Sequence, residues 1–151
     1  MKTFVSWGKN DETAVARLEQ ELGFSLPADY RDFLLDNNGG RVDDELFFVE
    51  GLGQQVTMDV FYGATHPNPA LTVSYWLQEY GDELQERTLV IGTDPGGGML
   101  TYITTGEDQG IYYWDHAHFF AQSTEEDGNT YFVANSFAEF CAMLKPFVEA
   151  S

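Results

Sequence analysis

Asp115, His116 and His118 are the residues of this chain most suggestive of a metal centre. Side chains alternate along a strand, so the two histidines of a His-x-His pair point to one face. His66 is a candidate fourth ligand, and with the many nearby acids such a centre would make a metal-dependent hydrolase. No further ligand pair at recognisable spacing supports it. Gly96-Gly97-Gly98 invites comparison with a phosphate cradle. No Lys or Ser/Thr follows at Walker spacing, no Gly-x-Gly-x-x-Gly occurs, and Asp94 sits beside the run. A turn that needs positive φ explains these glycines better. Cys141 falls on the apolar stripe of a helix and reads as a buried thiol. Gly-x-Ser-x-Gly and His-Glu-x-x-His are both missing. Carboxylates are so abundant that no one pair can be singled out for acid–base work. The expectation is a protein that binds without catalysing, using no cofactor and no metal.

Charge says what it would bind. The 151 residues carry 25 acids and seven Lys or Arg, a formal net charge of −18. Between Val42 and Leu144 the only Lys or Arg is Arg87. Such a surface repels phosphate backbones and anionic membranes, and it steers a basic partner inward. An acidic surface also serves solubility alone. A hydrophobic content of 43% and an aromatic content of 15% predict a folded globule of one domain, residues 1–151. One cysteine, no apolar leader and no apolar run of about 20 residues predict a cytoplasmic protein.

The elements that must position these residues can be read in order. Asn10 or Asp11 caps a first helix with Val15, Leu18 and Leu22 on one face, and Gly23 ends it. Pro27 suits the first position of a second helix, Asp29 complements its dipole, and Tyr30, Phe33 and Leu34 form its apolar stripe. Asn38, Gly39 and Gly40 stop it. Leu46–Val49 and Gln55–Tyr62 read as strands flanking a Gly51-Leu52-Gly53 turn. Asn68-Pro69 opens a third helix through Tyr80, with Leu71, Tyr75 and Trp76 turned inward. Thr88–Ile91, Met99–Thr104 and Ile111–Trp114 form an antiparallel meander. Residues 124–129 are an acidic turn across which Phe120 and Tyr131 would pair. Ser136 and Glu139 form a capping box for a last helix that buries Phe137, Phe140, Cys141 and Leu144.

Four of these stretches also resemble one family. Leu26-Pro27-Ala28-Asp29-Tyr30 followed by Asn38-Gly39-Gly40 looks like the signature of the SUKH superfamily, which includes the Smi/Knr-type regulators of yeast and many bacterial immunity proteins. Val90 to Gly98 is similar to that family's strand and Gly-rich turn. Ile111 to His116 resembles its strand ending in Trp-Asp-His, and Asn135 to Phe140 its closing Ser-Phe-x-x-Phe helix. The segment from Arg41 to Arg87 matches only loosely. The resemblance implies an α+β fold, a central mostly antiparallel β-sheet with helices packed against it. It also implies an immunity protein that neutralises a cognate toxin. Given the charge, a basic nuclease fits that toxin, and exposed loop acids would occlude its cleft: Asp43, Asp44, Glu45, Asp82, Glu83, Glu107, Asp108, Glu125, Glu126 and Asp127. A regulatory scaffold like the yeast members is the alternative.

Overall fold

The computed structural model describes residues 4–43, 45–115 and 130–146. Strand β1 (Phe4–Ser6) precedes helices α1 (Glu12–Leu22) and α2 (Ala28–Asn37). Strands β2 (Gly40–Val42), β3 (Glu45–Val49), β4 (Gln54–Thr57) and β5 (Val60–Phe61) follow. After α3 (Val73–Tyr80) come β6 (Thr88–Thr93), β7 (Met99–Ile103), β8 (Gly110–Trp114) and β9 (Thr130–Ala134), then α4 (Phe137–Met143) and β10 (Lys145–Pro146). Seven strands make one sheet in the order β1-β2-β5-β6-β7-β8-β9, and β10-β3-β4 make a second. Every pairing between the described strands is antiparallel. The α+β architecture with a central antiparallel sheet is as expected.

The helix ends follow local chemistry. Asp11 accepts from the Ala14 N–H at 2.7 Å, and Gly23 closes α1 with φ +81°. Pro27 stands one position earlier than expected. With ψ 144° it is still extended, so α2 starts at Ala28 and Pro27 serves as its N-cap. Asn38 adopts φ 49° and caps α2 as anticipated. The expected third helix is divided. Asn68 caps a 3-10 turn over Pro69–Leu71, and the Thr72 hydroxyl then caps α3.

Two further departures concern strands. The expected strand Gln55–Tyr62 is two strands in different sheets. Met58 N–H still donates to Glu45 of β3, but Asp59 N–H donates to Thr93 of β6, so the chain changes sheets between them. The side-chain alternation runs straight through this switch and therefore conceals it. The short strands β1, β2 and β10 also escape a periodicity argument, since two or three residues show no period.

One face of the large sheet carries the core. Phe61, Leu89, Leu100, Tyr102, Ile111 and Tyr113 are buried there beneath α2, α4 and β3. Phe33 meets Phe61 and Phe137 at centroid distances of 5.2 and 4.8 Å, and Phe47 meets Phe140 at 5.1 Å. The opposite face receives α3, whose Trp76 stacks on Tyr62 at 5.7 Å. Asp29 adds directional bonds to this packing. Its Oδ1 accepts from the Tyr102 hydroxyl of β7 at 3.3 Å, and its Oδ2 from the Ala138 N–H of α4 at 2.9 Å. Tyr30, next in sequence, is fully buried, and its hydroxyl has no hydrogen-bond partner among the described residues.

These neighbours make opposite predictions. Asp29→Ala removes the acceptor of the Tyr102 hydroxyl and of a helix N–H, and should cost about 1–3 kcal/mol in urea unfolding. Tyr30→Phe removes an unpaired buried hydroxyl at constant ring packing. It should leave stability unchanged or raise it by about 1 kcal/mol in the same assay.

Candidate functional site

The acids expected to meet a partner do not form one patch. Asp82 and Glu83 lie in a 3-10 turn over Gly81–Glu83, shortly before β6 begins at Thr88. Glu107 and Asp108 lie in the β7–β8 turn. Thr88 pairs with Ile103, and Ile103 with Gly110, so both segments sit at the same end of the sheet. All four side chains are exposed. Glu86 and Arg87 are exposed beside them, and the Arg87 carbonyl accepts from Thr104 N–H at 3.2 Å, closing this end. Asp43 follows β2 at the opposite end, where Arg41 pairs with Val60 and Val60 with Thr93. About 17 Å of β6 separates the two ends. Asp43 also meets the Arg41 guanidinium at 3.0 Å, which offsets its charge.

Glu45 corrects the expectation of an exposed loop acid. It begins β3 and is fully buried. Glu45, Phe47 and Val49 share the inward phase of the strand, so the apparent Asp-Asp-Glu run turns inward at its third member. Asp44, Glu125, Glu126 and Asp127 lie outside the described residues. So do His116 and His118, and with them most of the suspected metal trio; Asp115 is buried at the end of β8. Among the described residues no three His, Cys, Asp or Glu side chains are grouped to hold a metal ion.

The glycine motifs are explained by contacts. Asp94 Oδ1 accepts from the Gly98 N–H at 2.7 Å, while its Oδ2 accepts from the Tyr113 hydroxyl at 2.6 Å. Gly97 takes φ +94°, and a side chain at Gly98 would strike the Tyr113 ring. The loop is filled by its own carboxylate and phenol, and a turn is the right reading. Asn38 is occupied in the same way. Its Oδ1 accepts from Asn10 Nδ2, Ala64 N–H and Thr65 N–H, and its Nδ2 donates to the Thr65 carbonyl. It floors an open cleft of about 470 Å³ lined by Trp7, Thr65, His66 and Pro67. His66 packs on Trp7 at 4.6 Å and accepts from Asn68 N–H through Nδ1.

Cys141 is half-buried in α4, and burial pushes its thiol up to about 12. A thiol held protonated is a poor nucleophile. Burial likewise raises the phenols of Tyr30, Tyr62, Tyr102 and Tyr113, with Asp94 adding to the effect at Tyr113.

Alternation along Tyr112, Tyr113 and Trp114 puts part of this set in the core and leaves the rest to dress an exposed sheet face for a partner. Phe132 is not singled out from the sequence. The signal that could have found it is strand phase. Tyr112 and Phe132 lie opposite each other in register, out of phase with the buried Tyr113.

Two measurements follow. A raised acid pKa binds its proton longer in the folded state than in the unfolded one, so its contribution is intact below the unfolded pKa and is lost above it. Stability should therefore hold to about pH 9 and decline as pH rises towards 12, followed by urea unfolding across that range. Gly39→Ala would place a methyl 2.5 Å from the Phe61 carbonyl oxygen at φ +82°. It should lower stability by more than about 2 kcal/mol or prevent folding, checked by circular dichroism.

Comparison with known proteins bears on the whole arrangement. No helix among the described residues is long and apolar enough to cross a membrane. The chain is 26% identical over 149 aligned positions to the SPbeta prophage-derived uncharacterized protein YokK of Bacillus subtilis (strain 168), spanning 87% of this chain and 72% of that protein. The model of the SMI1/KNR4 family (SUKH-1) matches residues 9–143, which takes in α1 to α4 and all the motifs named above. The chain belongs to the SMI1/KNR4 (SUKH-1) family.

Proposed function

We propose that this protein is a non-catalytic immunity protein that binds a cognate bacterial toxin and blocks it. Family membership supports an immunity-type protein with a protein partner in general. The finer reading rests on one observation: exposed Asp82, Glu83, Glu107 and Asp108 share one end of the large sheet, with Arg87 as the only Lys or Arg between Val42 and Leu144. A nuclease must grip phosphates and so carries a basic cleft. An acidic surface of this kind attracts such a cleft from a distance and covers it on arrival. It equally disfavours nucleic acid and anionic membrane as partners. The cytoplasm, where a nuclease would act on its producer, is the location this reading requires.

The test is titration against the toxin encoded beside the gene, at low and at high salt. The expected outcome is inhibition at equimolar protein, with an association rate that falls about tenfold or more as salt rises. Asp82→Asn and Asp108→Asn should slow association further, and Asp43→Asn should not. Tight binding indifferent to salt would separate immunity from the charge. A toxin left unbound would sink the proposal.

A further inference from the structure

On the face away from the core, α3 covers the sheet as far as Trp114, which Tyr80 meets edge-on at 5.5 Å. Two residues back along β8, Tyr112 faces Phe132 of the neighbouring β9 in register, their rings at 5.6 Å and 78°. Phe132 is 46% exposed and Tyr112 half-buried. Single exposed hydrophobic side chains are ordinary on protein surfaces, and Val5 and Phe48 are of that kind. The Tyr112–Phe132 pair differs because it is fixed and flanked by charge. The Tyr112 hydroxyl donates to the Asp108 carbonyl at 2.7 Å, which ties the ring to the acidic β7–β8 turn. The Asp108 carboxylate is close enough to add to the rise in the Tyr112 phenol that burial begins. Glu107 is exposed in the same turn.

An aromatic pair alone would accept any apolar side chain. Carboxylates at its rim select a cation, and the combination suits arginine, whose planar guanidinium stacks on a ring while its N–H groups reach a carboxylate. Resting on the partner reading above, we propose that Tyr112, Phe132, Glu107 and Asp108 form the docking surface for an arginine-bearing segment of a basic protein partner. The rings supply stacking area at little entropic cost, and the acids supply attraction and orientation. Lysine, a compact and strongly hydrated charge, gains less from the rings.

The probes are nona-arginine and nona-lysine peptides of equal charge, titrated into the full-length protein at low salt. Affinity is followed by calorimetry and contacts by backbone amide shifts. The arginine peptide should bind several-fold more tightly, with shifts concentrated in Gly110–Trp114 and Thr130–Ala134. Phe132→Ala should weaken it about 2- to 5-fold and narrow its advantage over lysine, while Phe132→Tyr retains it. Asp108→Asn should weaken both peptides, and Asp43→Asn neither. Circular dichroism of each variant separates lost binding from lost folding. Salt-sensitive binding that ignores both Phe132→Ala and the choice of cation would overturn this surface while leaving the acidic-partner reading intact. Failure to bind either peptide would remove both. Self-association abolished by Phe132→Ala would make the face a contact between copies of the chain, and would overturn the proposal.

Discussion

A single carboxylate joins parts of this fold that lie more than a hundred residues apart. Asp29, in the first turn of α2, receives the Tyr102 hydroxyl of β7 and the Ala138 N–H of α4. The aromatic contacts among Phe33, Phe61, Phe137 and Phe140 are non-directional and would tolerate sliding. Hydrogen bonds to a half-buried carboxylate do not tolerate it. They set the approach of α4 to α2, and with it the level at which β3 closes over Phe140. The expected capping box is incomplete in its reciprocal half. Ser136 accepts from the Glu139 N–H at 3.1 Å, but the Glu139 carboxylate meets Asn135 Nδ2, and Asp29 takes an α4 N–H from outside the helix.

Much of this was legible residue by residue. Helical spacing locates α1, α2 and α4, and strand alternation between glycine turns locates β6, β7 and β8. Their caps, including Asp11, Gly23 and Asn38, were readable because capping is chemistry within four residues. What escaped is non-local. Lys145 pairs with Leu46 and Phe4 with Val42, and nothing in those short stretches announces a partner so far along the chain. The role of Asp29 at α4 escaped for the same reason. Its contribution to its own helix is local and visible, whereas its bond to Ala138 depends on the finished packing.

The acidic residues show the same limit from the functional side. That Asp43, Asp82, Glu83, Glu107 and Asp108 are exposed follows from their polar surroundings. That Asp43 stands at one end of β6 and the others at its opposite end follows only from register. Glu45 failed because a charge run looks solvated until a strand passes through it. Phase then decides, and Glu45 shares its phase with Phe47.

Several residues of the motifs that carry the family resemblance are engaged inside the molecule. Asn38 spends its amide on Asn10, Ala64 and Thr65, and Gly39 and Gly40 lie where a side chain would strike neighbouring backbone. Asp94 is held by Gly98 and Tyr113, and Asp29 by Tyr102 and Ala138. Groups whose donors and acceptors are already matched have little left to offer a partner. These residues hold the scaffold together, whereas Tyr112, inside the Ile111 to His116 motif, is half-buried on the open part of the sheet and the exposed acids stand on turns. There a change of one residue alters charge or ring area without disturbing the core. Architecture and exposed surface are written largely in different residues, with Tyr112 belonging to both.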